Sequence, residues 1–343
     1  MSVRTAVTKG DMGELAALLV RIGTEPGHEW EGGPAALLQR VRDRSPEQRR
    51  ELVGAWSEAY RRLAEGDPAR AVILTLVHTA DPAGGALAAE RGERILALSR
   101  QHAHHDLAEL TVLAEAESAA GRTPPGAFIA VLRRSAPRTP PAGLAAVLER
   151  YGDPVLNPGE AWADLALADA ARLGPPGRLL LTRLRSAPAK PTRTWERAAG
   201  DLIAELGRET VRAAALRWLA LAGSPRTLPL AECPDWYPPL TNEQYDPFNT
   251  GALCGLARLT ALLPPGPDTA QALGDLVGTA LRRLPGTGAR APRVATAGVT
   301  ALARMEGEAA TAELARLAAR VTHKATARLL GTALAARGPS TAP

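Results

Sequence analysis

The stretch ALGDLVGTALRRL, residues 272–284, and the stretch TAELARLAAR, residues 311–320, decide the fold. Leu273 in the first stretch corresponds to Leu314 in the second, 41 residues further along the chain. Two helices in about 40 residues is the period of HEAT and armadillo repeats. Apolar residues recur at the spacing of one helix face at Leu273, Leu276, Val277, Ala280, Leu281 and Leu284, and again at Val294, Ala297, Gly298, Ala301, Leu302 and Met305.

The composition predicts helices throughout. Only 3% of residues are aromatic, so alanine and leucine supply most of the apolar surface, and both favour helices. The 29 prolines and 32 glycines stand mostly between apolar-periodic segments. The predicted fold class is all-α: a HEAT/armadillo-like α-α solenoid of antiparallel helix pairs, less regular in its N-terminal half.

The composition also indicates the cellular compartment in which the protein is expected. Two cysteines give no disulfide framework and favour a reducing environment. Asp11 and Glu14 interrupt the first apolar run, and no apolar run reaches the roughly 18 residues that a membrane helix needs. A cytoplasmic protein without a membrane partner is therefore expected.

The positions of proline and glycine predict where helices begin and where turns separate them. Ser45-Pro46-Glu47-Gln48 is a helix start with an N-cap serine and a proline in the first turn. GRTPPG and APRTPPAG bracket a short helix and indicate either a subdomain seam or plain inter-helix turns. The predicted segments are an N-terminal helical region (1–121), this seam or pair of turns (122–142), helical repeats (143–223), a long proline-rich loop (224–249), C-terminal HEAT-like repeats (250–338) and a disordered tail (339–343).

Five pieces of the chain carry a family resemblance. They are GEAWADLALAD (159–169), PTRTW (191–195), LRWLALAGSPRT (216–227), NTGALCGLARLTALL (249–263) and PGTGARAPRVATAGVTAL (285–302). In this order and spacing, residues 159–337 resemble the helical-repeat region of large bacterial proteins described as molybdate-metabolism-regulator-like, some of which carry a WGR domain. Thr192, Thr194 and Thr296 depart from the family pattern. The family's large C-terminal domain of unknown function has no counterpart in residues 1–343, so the resemblance implies a helical scaffold only.

The basic residues are concentrated near the C-terminus. From Gly251 onward there are 11 Arg plus Lys and 5 Asp plus Glu, a net charge of +6, whereas the whole chain carries +5. The segment PGTGARAPR predicts an anion or phosphate site formed by Gly286, Gly288, Arg290 and Arg293. The alternative is an inter-helix turn whose arginines cap neighbouring carbonyl groups.

A wider basic surface is the second hypothesis. Its members are Arg282, Arg283, Arg316, Arg320, Lys324 and Arg328. The last four stand at four-residue spacing and would form a ridge able to meet phosphates, unless a turn near His323 breaks the line. The alternative is a solvated helix face.

Three aromatic residues of the long loop, Trp236, Tyr237 and Tyr245, are candidates to line a cleft. The only histidine cluster, His102-Ala103-His104-His105-Asp106, lacks a second cluster that would complete a zinc site, and polar residues at a helix start explain it. No catalytic or nucleotide-binding motif is present. We therefore predict no catalytic residue, metal or cofactor.

The sequence favours a non-enzymatic scaffold that binds a protein partner, although it leaves enzymatic activity undecided. The alternative function is binding of nucleic acid or a phosphate ligand through the basic C-terminal repeats. Its extreme form resembles the HEAT-like DNA glycosylases, which cradle duplex DNA in a basic groove.

Overall fold

The computed structural model describes residues 11–24, 33–233 and 239–337. Within these residues the chain forms 16 helices and one two-stranded hairpin. It divides into two compact units, Met1–Gly152 and Asp153–Pro343. The first unit has two hydrophobic core clusters and the second has one. The all-α class is thus confirmed. The predicted tail, 339–343, lies outside the described residues.

Eight helices are described in the first unit. They are α1 (Met12–Thr24), α2 (Gly33–Arg42), α3 (Pro46–Arg62), α4 (Ala69–Ala80), α5 (Ala88–Ser99), α6 (Leu107–Ala119), α7 (Gly126–Ser135) and α8 (Ala142–Arg150). The predicted start of α3 is confirmed, because Ser45 and Gln48 form a reciprocal capping box ahead of Pro46. Helix α2 was not predicted, since it follows a Gly-Pro-rich stretch and the sequence has no Ser, Thr, Asp or Asn immediately before Gly33.

The segment 122–142 belongs to the first unit and contains α7, whose Phe128 is fully buried. Its proline pairs are the turns on either side of that helix. The unit boundary falls after Gly152 instead, so the predicted repeat region 143–223 spans two units. Periodicity indicates a helix but not the core that the helix joins.

A buried polar cluster lies in the first unit. The guanidinium of Arg91 is fully buried, donates from Nε to Glu117 (2.8 Å) and lies 3.1 Å from Nδ1 of His78. Burial, and next Arg91, lower the pKa of His78 to about 4. His78 is therefore neutral at physiological pH and accepts a hydrogen bond from Arg91.

The second unit holds the remaining elements. They are α9 (Ala161–Arg185), α10 (Arg193–Leu206), α11 (Arg208–Leu221), α12 (Thr250–Thr260), α13 (Pro267–Leu281), β1 (Arg283–Leu284), β2 (Gly288–Ala289), α14 (Pro292–Arg304), α15 (Glu308–Arg320) and α16 (Lys324–Ala335). Helix α9 is interrupted at Gly174, whose φ of 68° is not helical. Pro175 and Pro176 follow the break directly.

Helices of the second unit pack in two rows. Helix α13 contacts α11 and α15, while α14 contacts α12 and α16, and α13 also contacts α14. The residues of the two predicted apolar registers are buried apart from the half-buried Leu281. Leu284 is buried outside the helix, in β1, so the prediction that it continues the α13 register was wrong. Helix α13 ends at Leu281 because the chain turns there into the hairpin.

The described part of the long loop, residues 224–233 and 239–249, is non-helical. Its C-terminal end is held by Asn249, which exchanges two hydrogen bonds with Asn157. Two carboxyl groups, Asp246 and Glu160, lie in the same buried network. Among the described residues, no helix is both long and apolar enough to cross a membrane.

Candidate anion-binding groove

A groove of about 970 Å³ lies in the second unit between α13, α15 and the β1–β2 hairpin, and we call it the basic groove. Its lining residues come from α13 and the hairpin on one side, and from α15 and the α15–α16 turn on the other. They are Gly223, Gly274, Asp275, Gly278, Thr279, Leu281, Arg282, Arg283, Gly288, Ala289, Arg290, Arg316, Leu317, Arg320, Val321, Thr322, His323 and Lys324.

The hairpin places three arginines at one end of the groove, which we call the hairpin end (Arg282, Arg283 and Arg290). Arg283 pairs with Ala289 across the two strands, and Gly286 and Gly288 both have positive φ, which glycine adopts without strain. The backbone N–H of Arg290 donates to the carbonyl of Arg282 (2.9 Å). The PGTG motif is therefore a hairpin tip that folds Arg290 back towards Arg282.

Apart from Arg290, the cations of the groove fall into two groups. Arg283, Arg320 and Lys324 are exposed and have no acidic partner among the described residues. Arg282 is paired with Glu243 at 2.9 Å, and Arg316 is held by Glu313, with Asp275 at 3.8 Å. The hydrogen bond to Glu313 raises the pKa of Arg316, because this carboxylate stabilises the charged guanidinium. Three cations are thus available to a ligand.

Arg290 is different from these surface cations, because its Nε and Nη1 atoms are buried without an acceptor in the described part of the chain. Its guanidinium lies over the ring of Tyr245, with Cζ 4.1 Å from the ring centroid. Burial lowers the pKa of Arg290. A buried donor left without an acceptor costs about 1–3 kcal/mol, so this arginine is held at an energetic cost.

At the opposite end, which we call the turn end, the groove meets the start of α16. His323 is the N-cap, and its Nδ1 accepts from the backbone N–H of Thr326 (3.4 Å). Lys324 is the first helical residue. The partial positive charge of a helix N-terminus therefore adds to Lys324 and Arg320 at this end.

Glycines on α13 shape the wall. A Cβ atom on Gly274 would overlap the carboxylate of Glu313, so this glycine lets α15 approach closely. A Cβ atom on Gly278 would meet nothing within 4 Å. Glycine at position 278 destabilises the helix by about 1 kcal/mol relative to alanine, and no neighbouring atom requires the side chain to be absent there. Its effect is to leave the wall of the groove open.

A buried acidic network lies behind the hairpin end. Glu160 accepts from the backbone N–H of Asp246 (2.9 Å) and from Nδ2 of Asn249 (2.8 Å). Burial, and then repulsion by Asp246, raise the pKa of Glu160. Burial likewise raises the pKa of Tyr245 to about 12. The ring under Arg290 is thus a neutral phenol fixed by its neighbours in the chain.

The groove collects most, but not all, of the predicted basic residues. Gly286 and Arg293 were predicted to join Gly288 and Arg290, but they are not among the residues that line the groove. Arg293 lines a separate depression with Arg185, because α14 turns it away from the hairpin. The turn near His323 does break the line of basic residues, as the sequence allowed: α15 ends at Arg320 and α16 begins at Lys324, and Arg328 does not line the groove.

The predicted cleft aromatics do not line the groove in the described part of the chain. Tyr245 is only 4% exposed and supports Arg290 from below, so its prediction as a cleft-lining side chain was wrong. Trp236 and Tyr237 lie outside the described residues. Tyr245 is buried because the next residue, Asp246, is hydrogen-bonded within the buried network and holds this part of the loop against the core.

The histidine cluster has a structural explanation. Asp106 is the N-cap of α6 and accepts from the backbone N–H groups of Ala108 and Glu109, as expected of a residue at a helix start. His104 lies 2.7 Å from the carboxylate of Glu109. Within residues 11–24, 33–233 and 239–337, no group of three or more His, Cys, Asp and Glu side chains could hold a metal ion.

Several groove residues were missed from the sequence. Gly274 and Gly278 stand four residues apart in an otherwise regular helix, a pattern that would have indicated an opened helix face. His323 and Asp275 carry no such signal, because their position at the groove depends on tertiary packing.

Comparisons of the chain with models of protein families, with curated proteins and with solved structures found no match.

Proposed function

We propose that this chain is a non-catalytic helical-repeat scaffold of the HEAT type, and that it binds an acidic segment of a partner protein in the basic groove. The packing of each helix against its second neighbour, in the rows α11–α13–α15 and α12–α14–α16, supports stacked helix pairs. The resemblance to the helical-repeat region of the molybdate-metabolism-regulator-like proteins supports the same architecture.

The observation that carries this function is the convergence of unpaired cations on one groove. Arg283 comes from the hairpin, Arg320 from the end of α15 and Lys324 from the start of α16. Like charges brought together without acidic partners repel one another, so an anionic ligand would be stabilised there. The second unit also carries the whole net charge of +5, since the first unit is neutral.

The lining favours an acidic peptide over nucleic acid. Single-stranded nucleic acid is bound by aromatic side chains on which bases stack, and the described residues that line the groove include no Phe, Tyr or Trp. Proteins with strong phosphate-backbone binding neutralise roughly 6–10 phosphates, whereas the described lining of this groove offers four cations without an acidic partner, namely Arg283, Arg290, Arg320 and Lys324. Leu281, Leu317 and Val321 add an apolar wall suited to the stems of side chains.

Fluorescence anisotropy with a labelled oligoglutamate peptide tests the proposal on the full chain. The triple variant Arg283→Gln/Arg320→Gln/Lys324→Gln should bind about tenfold more weakly or worse, since each exposed charge contributes about 0.5 kcal/mol. Gly278→Leu should weaken binding by filling the groove without changing its charge, while Gly278→Ala is the control that should bind like the parent. Equal binding by parent, triple variant and Gly278→Leu would contradict the groove as the site.

Nucleic acid is the second candidate function, favoured by the charge excess of the second unit. Labelled duplex and single-stranded DNA should bind more weakly than oligoglutamate under the first proposal. Tighter binding of either DNA, weakened by the triple variant and falling steeply as salt rises, would support the second candidate instead.

A further inference from the structure

Arg290 at the hairpin end is a fixed guanidinium with free donors. Tyr245 lies against one face of its plane at 4.1 Å, and the ring is itself 4% exposed. The Nε and Nη1 atoms are buried and donate to no acceptor within the described residues. Stacking fixes the orientation of the plane in advance of any ligand, which lowers the entropy lost on binding.

The fold makes room for this side chain in a specific way. Gly223 has a φ of 122°, and a Cβ atom there would lie 3.4 Å from Nη1 of Arg290 and would overlap the side chain of Thr279. A side chain at position 223 would clash with Thr279, and its Cβ atom would lie in van der Waals contact with the guanidinium. Gly223, Thr279 and Arg290 all line the basic groove, so the arginine lies at the groove and not in a sealed core.

Positive charges outnumber negative charges around Arg290. Arg282 and Arg283 are the neighbouring cations, and one carboxylate, Glu243, is paired with Arg282. The carboxyl group of Glu160 also acts on Arg290, but its raised pKa shows that burial disfavours its ionised form. Three guanidinium groups against one exposed carboxylate leave about two positive charges to be matched, and a phosphomonoester carries about −1.5 to −2 at neutral pH.

We propose that the hairpin end of the basic groove binds a phosphomonoester group, with Arg290 as the residue that recognises it and Arg282 and Arg283 beside it. This inference rests on the proposed function of the groove and names the anionic group that one end of it selects. A phosphomonoester presents three oxygens and a charge near −2, whereas a carboxylate presents two oxygens and a charge of −1. The larger anion satisfies more of the unpaired donors and more of the excess charge.

The phosphate can be carried by a side chain of the partner segment or by a free small molecule, and competition experiments distinguish these sources. Three peptides of one acidic sequence are compared, with serine, glutamate or phosphoserine at the central position. Inorganic phosphate is titrated alone and as a competitor. The phosphoserine peptide should bind the parent chain about tenfold more tightly than the serine peptide and several-fold more tightly than the glutamate peptide.

Arg290→Gln should remove the preference for phosphoserine and leave the affinity for the glutamate peptide within about twofold. Arg290→Lys retains the charge but loses the planar donors, and it should lose most of the preference. Arg293→Gln is the matched control outside the groove and should behave like the parent. If Arg290→Gln does not fold by circular dichroism, the exposed Arg283→Gln is used, and a reduced preference is expected.

Equal binding of the phosphoserine and glutamate peptides by the parent would overturn the phosphate inference and leave the acidic-segment function standing. Binding of inorganic phosphate that is unchanged in Arg290→Gln would also overturn it. If free phosphate binds through Arg290 but none of the peptides binds, the inference holds for a small phosphorylated ligand and the partner-protein function fails. Binding of neither phosphate nor any peptide would contradict both.

Discussion

Asn157 and Asn249, 92 positions apart in the chain, exchange two hydrogen bonds: the backbone N–H of Asn157 donates to Oδ1 of Asn249 (2.8 Å), and Nδ2 of Asn249 donates to the carbonyl of Asn157 (2.8 Å). Both residues are fully buried. This pair fixes the end of the long loop, and with it the position of Tyr245 and Asp246. The orientation of Arg290 at the basic groove therefore depends on two asparagines that do not line the groove.

Asn249→Ala should destabilise the second unit by about 3 kcal/mol, because it leaves buried groups of Asn157 and Glu160 without partners. Urea unfolding followed by tryptophan fluorescence measures the change. Asn242→Ala is the matched control, since Asn242 makes the same kind of reciprocal pair with Leu230 but is only half-buried. A loss from Asn249→Ala no larger than that from Asn242→Ala would contradict this account of the loop.

Two helix glycines should respond in opposite directions to the same change. A Cβ atom on Gly255 would overlap the backbone carbonyl of Leu184, where α12 crosses α9, so Gly255→Ala should cost about 2 kcal/mol or more. Gly278→Ala should stabilise the protein by about 0.5–1 kcal/mol, because alanine favours the helix and meets no neighbour. Thermal unfolding of the two variants side by side gives the sign of each effect. A stabilising Gly255→Ala would show that the two helices can move apart.

His78 should make the first unit less stable in mild acid. Its folded pKa of about 4 lies below the ordinary value of 6.5, so the unfolded chain takes up a proton first as the pH falls. The loss of stability begins near pH 6.5 and continues to about pH 4. His78→Gln, which retains a hydrogen-bond acceptor for Arg91, should flatten this part of the curve. Equilibrium unfolding at a series of pH values tests the slope, and an unchanged slope in the variant would rule out His78 as its source.

Glu117→Gln should destabilise the first unit by about 3 kcal/mol, since it removes the carboxylate paired with the fully buried Arg91. Glu58→Gln removes a carboxylate from two exposed pairs, with Arg61 and Arg62, and should cost less than about 1 kcal/mol. Chemical denaturation of both variants at neutral pH provides the comparison. Similar losses would indicate that the burial of Arg91 does not strengthen its dependence on Glu117.

The sequence predicted the helices well where apolar periodicity is strong, as in α13 and α14, and it predicted the α3 start from one capping box. It did not predict α2, because no such sequence signal precedes Gly33. The basic residues were identified, but their grouping was not, because α14 directs Arg293 away while the hairpin directs Arg290 inward. The pairing of Arg316 with Glu313 is local and was open to prediction from three-residue spacing. The pairing of Arg282 with Glu243 joins residues 39 apart and depends on the loop.

The residue at position 274 controls how strongly one arginine of the basic groove is paired, without any change in the charged residues. The space left by the absent side chain is where the Glu313 carboxylate lies as it neutralises Arg316. A methyl group at position 274 would displace that carboxylate and weaken its pairing with Arg316, which would leave Arg316 more available to a ligand. Selection on the volume of one helix position would thus tune ligand affinity across descendants of this chain, with every arginine and glutamate retained.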